Sequence, residues 1–292
     1  MFLFFSSLTF FFGLAVGSFL NAVIWRMAAF QEGEPRPAGR EKGESALKGR
    51  SYCPHCRHQL SWEDLIPVVS FVLLGGKCRY CKKRISLQYP VIELSTALLF
   101  LLIFNFEFLI FNQFSQFLIF ETLYLLIIAS LLIVLFVYDL RHYILPDTII
   151  FLAIGLVFGY HLFLLVIKNW DLIRNLKLEI RNFETLANPL LAGVLASAFF
   201  LAIFLLSRGR AMGFGDVKLA FFMGLFLGWP NILVALFVAF FLGAIIGLGL
   251  IVLQKKGLKS EIPFGPFLII GTFAALFWGT EFVDWYAGLF LV

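Results

Sequence analysis

Charge is what this chain has least of. Asp, Glu, Lys and Arg make up 14% of its 292 residues, while 61% are hydrophobic and 38 are Phe. A soluble globular domain carries about 25% charged residues. Too little polar side chain is present to cover a water-soluble fold of this length, so a large soluble core of buried helices is set aside. No G-x-G-x-x-G loop after a strand occurs, and none of the dinucleotide-type signatures is read. No inverted repeat is evident, which counts against a transporter or channel. The apolar N-terminus lacks the basic stretch of a signal peptide. It runs on through Ser18 to Trp25 without a clear stop, so it is expected to be an anchor rather than a cleaved leader, despite the weak cleavage-site lookalike Ala15, Val16, Gly17.

What the chain has instead is long apolar runs. Eight stretches, at about 2–25, 91–111, 118–138, 144–167, 189–206, 214–229, 231–253 and 262–283, approach or exceed the ~20 residues that cross a bilayer core as a helix. The run 214–229 is short and contains glycine. Breaks fall at Asn112–Gln113, Tyr138–His142, Trp229–Asn231 and Lys255–Gly257. The fold class is therefore an all-α polytopic membrane protein of about eight transmembrane helices. Its organisation is a first helix (1–25), a loop domain (26–90) and a membrane-embedded domain (91–292).

The net charge of +5 sits between the spans. With the N-terminus outside, the loops 26–90, 139–143, 207–218 and 254–261 face the cytoplasm and hold 19 of the 23 Lys and Arg. That asymmetry follows the positive-inside rule, and it puts both termini outside. The basic balance thus reads as topology, and no nucleic-acid partner is expected.

The loop 26–90 has two halves. Gln31 to Arg50 is rich in Gly, Pro, Glu, Lys and Arg and is read as a flexible segment. The second half carries all four cysteines, Cys53 and Cys56 in one C-x-x-C knuckle, Cys78 and Cys81 in another, separated by 21 residues. Each knuckle can aim two thiolates at one point, and two complete a tetrahedral zinc site of ribbon type. Disulfides are the alternative, disfavoured in a reducing cytoplasmic loop. Such a site has no open position, so its role is folding. His55 and His58 are bystanders.

Ionisable groups at the edge of a span are functional candidates because they are costly there. Glu107 and Glu121 read as solvated outer helix ends. Glu93, just after Tyr89 and Pro90, is either an N-terminal cap or a site residue. Asp139 closes the third span, and Asp216 opens the sixth within Gly213, Phe214, Gly215, Asp216, Val217, Lys218. Both fall at the cytoplasmic face on different helices. Two facing carboxylates can share one proton, one accepting from water and the other donating to a carbonyl oxygen. Gly213 and Gly215 leave room for a turn or a substrate. Alone, the Gly-x-Gly-Asp block equally describes a helix cap.

In combination these features resemble the bacterial type IV prepilin peptidase family. The points of likeness run in order along nearly the whole chain. They are Gly17, Ser18, Phe19, Leu20, Asn21 and Arg26; the double knuckle with Trp62, Ile66, Pro67, Ser70, Gly75 and Gly76; Tyr89, Pro90 and Glu93; and Asp139 ahead of Pro146 and Asp147. The block at Asp216 and the late Pro263, Phe264, Gly265, Pro266 complete the series. The Gly-x-Gly-Asp block alone is also similar to presenilin-like and signal-peptide-peptidase-like enzymes, which the cysteine loop argues against. The resemblance implies an inner-membrane enzyme that cuts the basic leader of prepilins and pseudopilins and then N-methylates the new terminus with S-adenosylmethionine. It implies Asp139 and Asp216 as the catalytic pair, with Asp147, Gly213, Gly215, Lys218 and Glu93 supporting, and Cys53, Cys56, Cys78 and Cys81 on Zn2+. It places methylation around the first cytoplasmic loop, 26–90, and names no residues for the methyl donor. One departure is Met27 after Arg26, where many relatives have Leu-Pro. A non-catalytic assembly subunit is the remaining alternative, against which both carboxylates are intact.

Overall fold

In a computed structural model the chain is helical almost throughout, and the structure describes residues 2–31, 49–111, 116–168, 184–210, 212–253 and 262–289. Most of the basic stretch Gln31–Arg50, most of the outer loop 168–188, and the breaks at 112–113 and 255–257 lie outside the described residues. The helices are α1 (Phe2–Gln31), the short α2 (Val69–Leu73), α3 (Gln88–Phe111), α4 (Gln116–His142), α5 (Asp147–Lys168), α6 (Glu184–Leu206), α7 (Phe214–Leu227), α8 (Asn231–Val252) and α9 (Gly265–Gly288). All but α2 and α7 are long and apolar enough to cross a membrane. The chain is thus a multi-pass membrane protein. Apolar runs become helices here because only an internally bonded backbone is tolerated in hydrocarbon. Their many exposed Phe, Leu and Ile side chains are lipid-facing surface in that setting.

Two compact units are present, Met1–Val134 and Leu135–Val292. In the first, α1 packs lengthwise on α3. Gly13 and Gly17 allow the approach: a Cβ on Gly13 would stand 2.6 Å from the Ala97 Cα, and one on Gly17 2.7 Å from the Glu93 Cα. This small-x-x-x-small spacing is a membrane device, since helices in lipid associate through close packing rather than water exclusion.

In the second unit α6 packs on α7 and α8 on α9. The 14 residues of α7 span about 21 Å at 1.5 Å per residue, short of the ~30 Å hydrocarbon core. Even so α7 crosses its unit. Its first residue, Phe214, meets Phe204 near the end of α6, while just past its end the Trp229 backbone is held by Asn188 near the start of α6. A short helix can do this because it is enclosed by its neighbours. Val217, Leu219, Ala220, Phe222, Met223 and Leu225 are all buried, so its ends need not reach lipid headgroups. The expected eighth apolar run is therefore helical but shorter than a membrane span, and seven helices rather than eight are long enough to cross.

Helix α4 runs on to His142, one turn past the break expected at Tyr138, so Asp139 lies inside the helix rather than at its tip. Arg141 and His142 suit the negative end of the helix dipole. The chain then turns at Tyr143, in the left-handed region at φ 56°, whose N–H bonds the Asp139 carbonyl, and Pro146 starts α5.

Candidate active site and metal centre

Asp139 and Asp216 are both buried, at 5% and 7% exposure, and lie close enough for the charge of Asp139 to act on Asp216. They reach this point from α4 and α7, 77 positions apart. Local bonds hold each one. The carboxylate of Asp216 takes the N–H of Gly213, the residue that caps α7, and its own N–H bonds the Gly213 carbonyl at 3.2 Å. This is half of a capping box, so Asp216 is at once a cap and a member of the pair. The Gly265 N–H, at the start of α9, points at the carboxylate of Asp139. Asp139 Oδ2 has no hydrogen-bond partner among the described residues.

The expected supporting residues divide. Lys218 donates to Asp147 Oδ1 at 2.6 Å, its ammonium also lying over the rings of Phe214 and Phe151. That pair links the start of α5 to the helix carrying Asp216. Gly215 is a close-approach position: a Cβ there would sit 3.0 Å from the Leu145 Cβ. Gly213 is not a close-approach position, a Cβ there meeting only the Gly215 nitrogen at 3.9 Å, and it has an ordinary extended backbone, φ −78° and ψ 154°. Glu93 belongs to the first unit.

Glu93 has a different setting. It is buried, and its Oε2 accepts the Val68 N–H at 2.7 Å while the Ser18 hydroxyl also donates to it. Val68 needs that support. It sits at φ 60°, ψ −48°, with the Val69 N–H on the Pro67 carbonyl at 2.6 Å, a γ-turn that strains a β-branched residue. Such a conformation costs about 1–3 kcal/mol, and a hydrogen bond to a charged group contributes a comparable ~1.5–3 kcal/mol. Beside it Asn21 donates to the Tyr89 carbonyl at 3.1 Å, and its Oδ1 is buried without a partner among the described residues. Ser18, Asn21 and Glu93 thus meet in one polar junction of α1 and α3. Glu107 departs from expectation: it is buried rather than solvated, because it faces inward from α3.

The four cysteines converge. Their sulfurs all lie within 4.8 Å of one another, Cys53 and Cys81 at 3.8 Å, and all four are free thiols. Four thiolates at about 2.3 Å from a tetrahedral zinc would be about 3.8 Å apart, so the donor set fits. The knuckles are near copies. Cys53 N–H bonds the His58 carbonyl and Cys78 N–H that of Lys83, both at 2.9 Å, with Arg57 and Lys82 at φ 56° and 58°. Burial pushes the Cys53 thiol up to about 11. At Cys78 burial pulls the same way, but the N–H groups of Cys81 and Tyr80 outweigh it and bring the thiol down to about 7. No histidine joins the cluster; His58 stacks on Tyr80 instead, centroids 3.7 Å apart. Asp64 ties the loop together, accepting from Ser61 and from Arg79 at 2.7 Å.

A multi-pass helical membrane protein with two buried, interacting aspartates and a four-cysteine cluster defines a narrow class, and comparison with known proteins identifies it. Residues 11–106 match the bacterial peptidase A24 N-terminal domain, and residues 126–248 match the type IV leader peptidase family. The prepilin leader peptidase/N-methyltransferase of Aeromonas hydrophila is 33% identical over 98% of this chain and 94% of its own length. Those of Legionella pneumophila and Pseudomonas aeruginosa are 31% and 29% identical, over 96% and 94% of this chain and 93% and 90% of their own lengths. No solved structure matches significantly. The chain belongs to the type IV leader peptidase family.

Proposed function

We propose that this chain is an aspartic endopeptidase that removes the short basic leader of type IV prepilins and pseudopilins, and then N-methylates the new terminus. The observation that carries the peptidase half is the pair of buried carboxylates, Asp139 and Asp216, close enough for the charge of Asp139 to act on Asp216. Two such groups hold one proton between them. The ionised one takes a proton from water as it attacks the scissile carbonyl, and the protonated one donates to the carbonyl oxygen. On collapse of the tetrahedral species, a proton passes to the leaving amine. Gly213 is exposed, with its N–H on the Asp216 carboxylate, and offers a place where an extended substrate backbone can approach. Lys218 and Asp147 hold α7 in register with α5.

The ribbon takes one Zn2+ on Cys53, Cys56, Cys78 and Cys81, a closed site that folds the loop. For S-adenosylmethionine, the polar junction of the first unit fits a cation. It offers an orphaned acceptor, Asn21 Oδ1, next to the Glu93 carboxylate. Asn21 and Glu93 would hold it, and when bound it supplies an electrophilic methyl group.

In this reading the enzyme sits in the bacterial inner membrane with both termini outside and the aspartates facing the cytoplasm, the orientation favoured by the 19 Lys and Arg in the loops 26–90, 139–143, 207–218 and 254–261. One run tests the whole: purified protein with a prepilin, and the mass of the product at its new N-terminus. A leaderless product heavier by one methyl is expected; an uncut precursor would end the proposal. Orientation is checked separately in inside-out vesicles, where a precursor added from outside should be cut without detergent.

A further inference from the structure

The late segment Pro263, Phe264, Gly265, Pro266 is a conspicuous sequence feature with no part in the chemistry so far. It forms the start of α9, and three observations tie it to Asp139. First, the Gly265 N–H is directed at that carboxylate. Among its neighbours Pro266 has no N–H to offer, and those of Phe267 and Leu268 are taken by the Phe264 carbonyl at 3.0 and 3.2 Å. Second, there is no room for a side chain: a Cβ on Gly265 would lie 2.5 Å from Asp139 Oδ2, 3.2 Å from its Cγ and 3.4 Å from Leu145 Cδ2. Third, Leu145 is wedged between two glycines. It meets Gly265 on one side and Gly215, next to Asp216, on the other.

We propose that Gly265 is a positioning residue for peptide cleavage, its N–H and bare Cα setting the orientation in which the Asp139 carboxylate faces Asp216, with Leu145 spacing Gly265 from the segment that carries Asp216. The proposal rests on the reading of Asp139 and Asp216 as the catalytic pair. A carboxylate has a broad terminal torsion and would otherwise sample many orientations. A backbone N–H directed at the carboxylate and a bare Cα beside Oδ2 remove that freedom. The first turn of a helix is a suitable source of the donor because its N–H groups have no partner within the helix.

The test uses the full-length protein in liposomes with a prepilin precursor. Gly265→Ala is expected to lower kcat about 100-fold, the usual consequence of a misplacement near 1 Å, with KM changed less than about threefold. In the inactive Asp139→Asn background the same change should leave precursor affinity unaltered. Gly155→Ala, where a Cβ meets nothing within 4 Å, should cleave like wild type. Thermal stability gives a second readout through a double-mutant cycle. The loss of Tm caused by Gly265→Ala should shrink in an Asp139→Ala background, where the oxygen it strikes is gone. If Gly265→Ala does not fold alone, recovery of folding in that background supports the proposal, and failure there overturns it. Near wild-type cleavage by Gly265→Ala, or an equal loss of Tm in both backgrounds, also overturns it. If Asp139→Asn itself cleaves normally, the catalytic pair has been misassigned, and that result is separate.

Discussion

The cysteine ribbon and the aspartate pair assemble reactive groups in opposite ways. In the ribbon each knuckle is a local turn, repeated 25 positions later with the same hydrogen bonds and the same left-handed residue. The donors are therefore placed by short-range geometry, and only one long-range step, knuckle against knuckle, remains. The aspartates have no such unit. Asp139 is oriented by a helix that begins 126 positions later, and Asp216 by the cap of its own helix. Local sites tolerate change elsewhere in the chain, whereas a site assembled by packing is exposed to every neighbour.

The largest test of that contrast is direct. Asp139→Asn and Asp216→Asn should each lower cleavage at least about 1,000-fold while the protein stays folded and inserted, and the double variant should be hardly worse, because the two act as a unit. Quantitative mass spectrometry of cleaved precursor measures this. Methyl transfer to a pre-cleaved substrate should survive all three changes; its loss would mean that the two regions are not independent.

Next in size is the ribbon. Replacing Cys53 and Cys78 by Ser, or stripping metal with a chelator, should take bound zinc from about one per chain to near zero by elemental analysis. The loop should become protease-sensitive while the helices persist. Zinc retained by the double variant would break the assignment. Glu93→Gln should follow, weakening S-adenosylmethionine binding in equilibrium dialysis by about tenfold or more and slowing methyl transfer, with cleavage little changed. Equal damage to both activities would instead make Glu93 only a support for the Val68 turn.

Asp147→Asn should cost cleavage only a few-fold, since the Asp147 side chain is 58% exposed and its ion pair with Lys218 is correspondingly weak. Complete inactivation would move Asp147 into the pair. The smallest effect concerns Asp64. Burial raises its carboxyl, but the Ser61 hydroxyl and N–H together with Arg79 outweigh burial and hold it below the usual carboxylate range. A depressed value stabilises the folded loop fully above the unfolded value of ~3.9. That contribution is lost as the pH falls through the lower folded value. The advantage of wild type over Asp64→Asn in loop proteolysis should thus be complete at neutral pH, begin to decline near the unfolded value of ~3.9, and vanish only below the lowered folded value. A pH-independent difference would assign it to packing.

Much of this molecule was legible from residues in order. Long apolar runs must become helices in lipid, because the backbone has no other partner there, so the seven helices long enough to cross a membrane followed from run length. Paired C-x-x-C spacings announce four convergent thiols because each knuckle closes within five residues. Asp139 and Asp216 stood out because a carboxylate at a membrane edge is costly unless used. Other features depended on which helices became neighbours. Run length marked α7 as short, but only the packed structure shows that its 14 residues are enclosed by surrounding helices. Glu107 reads as a helix end yet turns inward. Nothing adjacent to Glu93 in sequence indicates that it holds the strained Val68 turn, nor does anything near Pro263 connect Gly265 with Asp139. Sequence period and composition dictate what each segment does alone, because those forces act over a few residues. The partner of a buried carboxylate is set by contacts hundreds of atoms away along the chain, and only the packed structure brings them within reach.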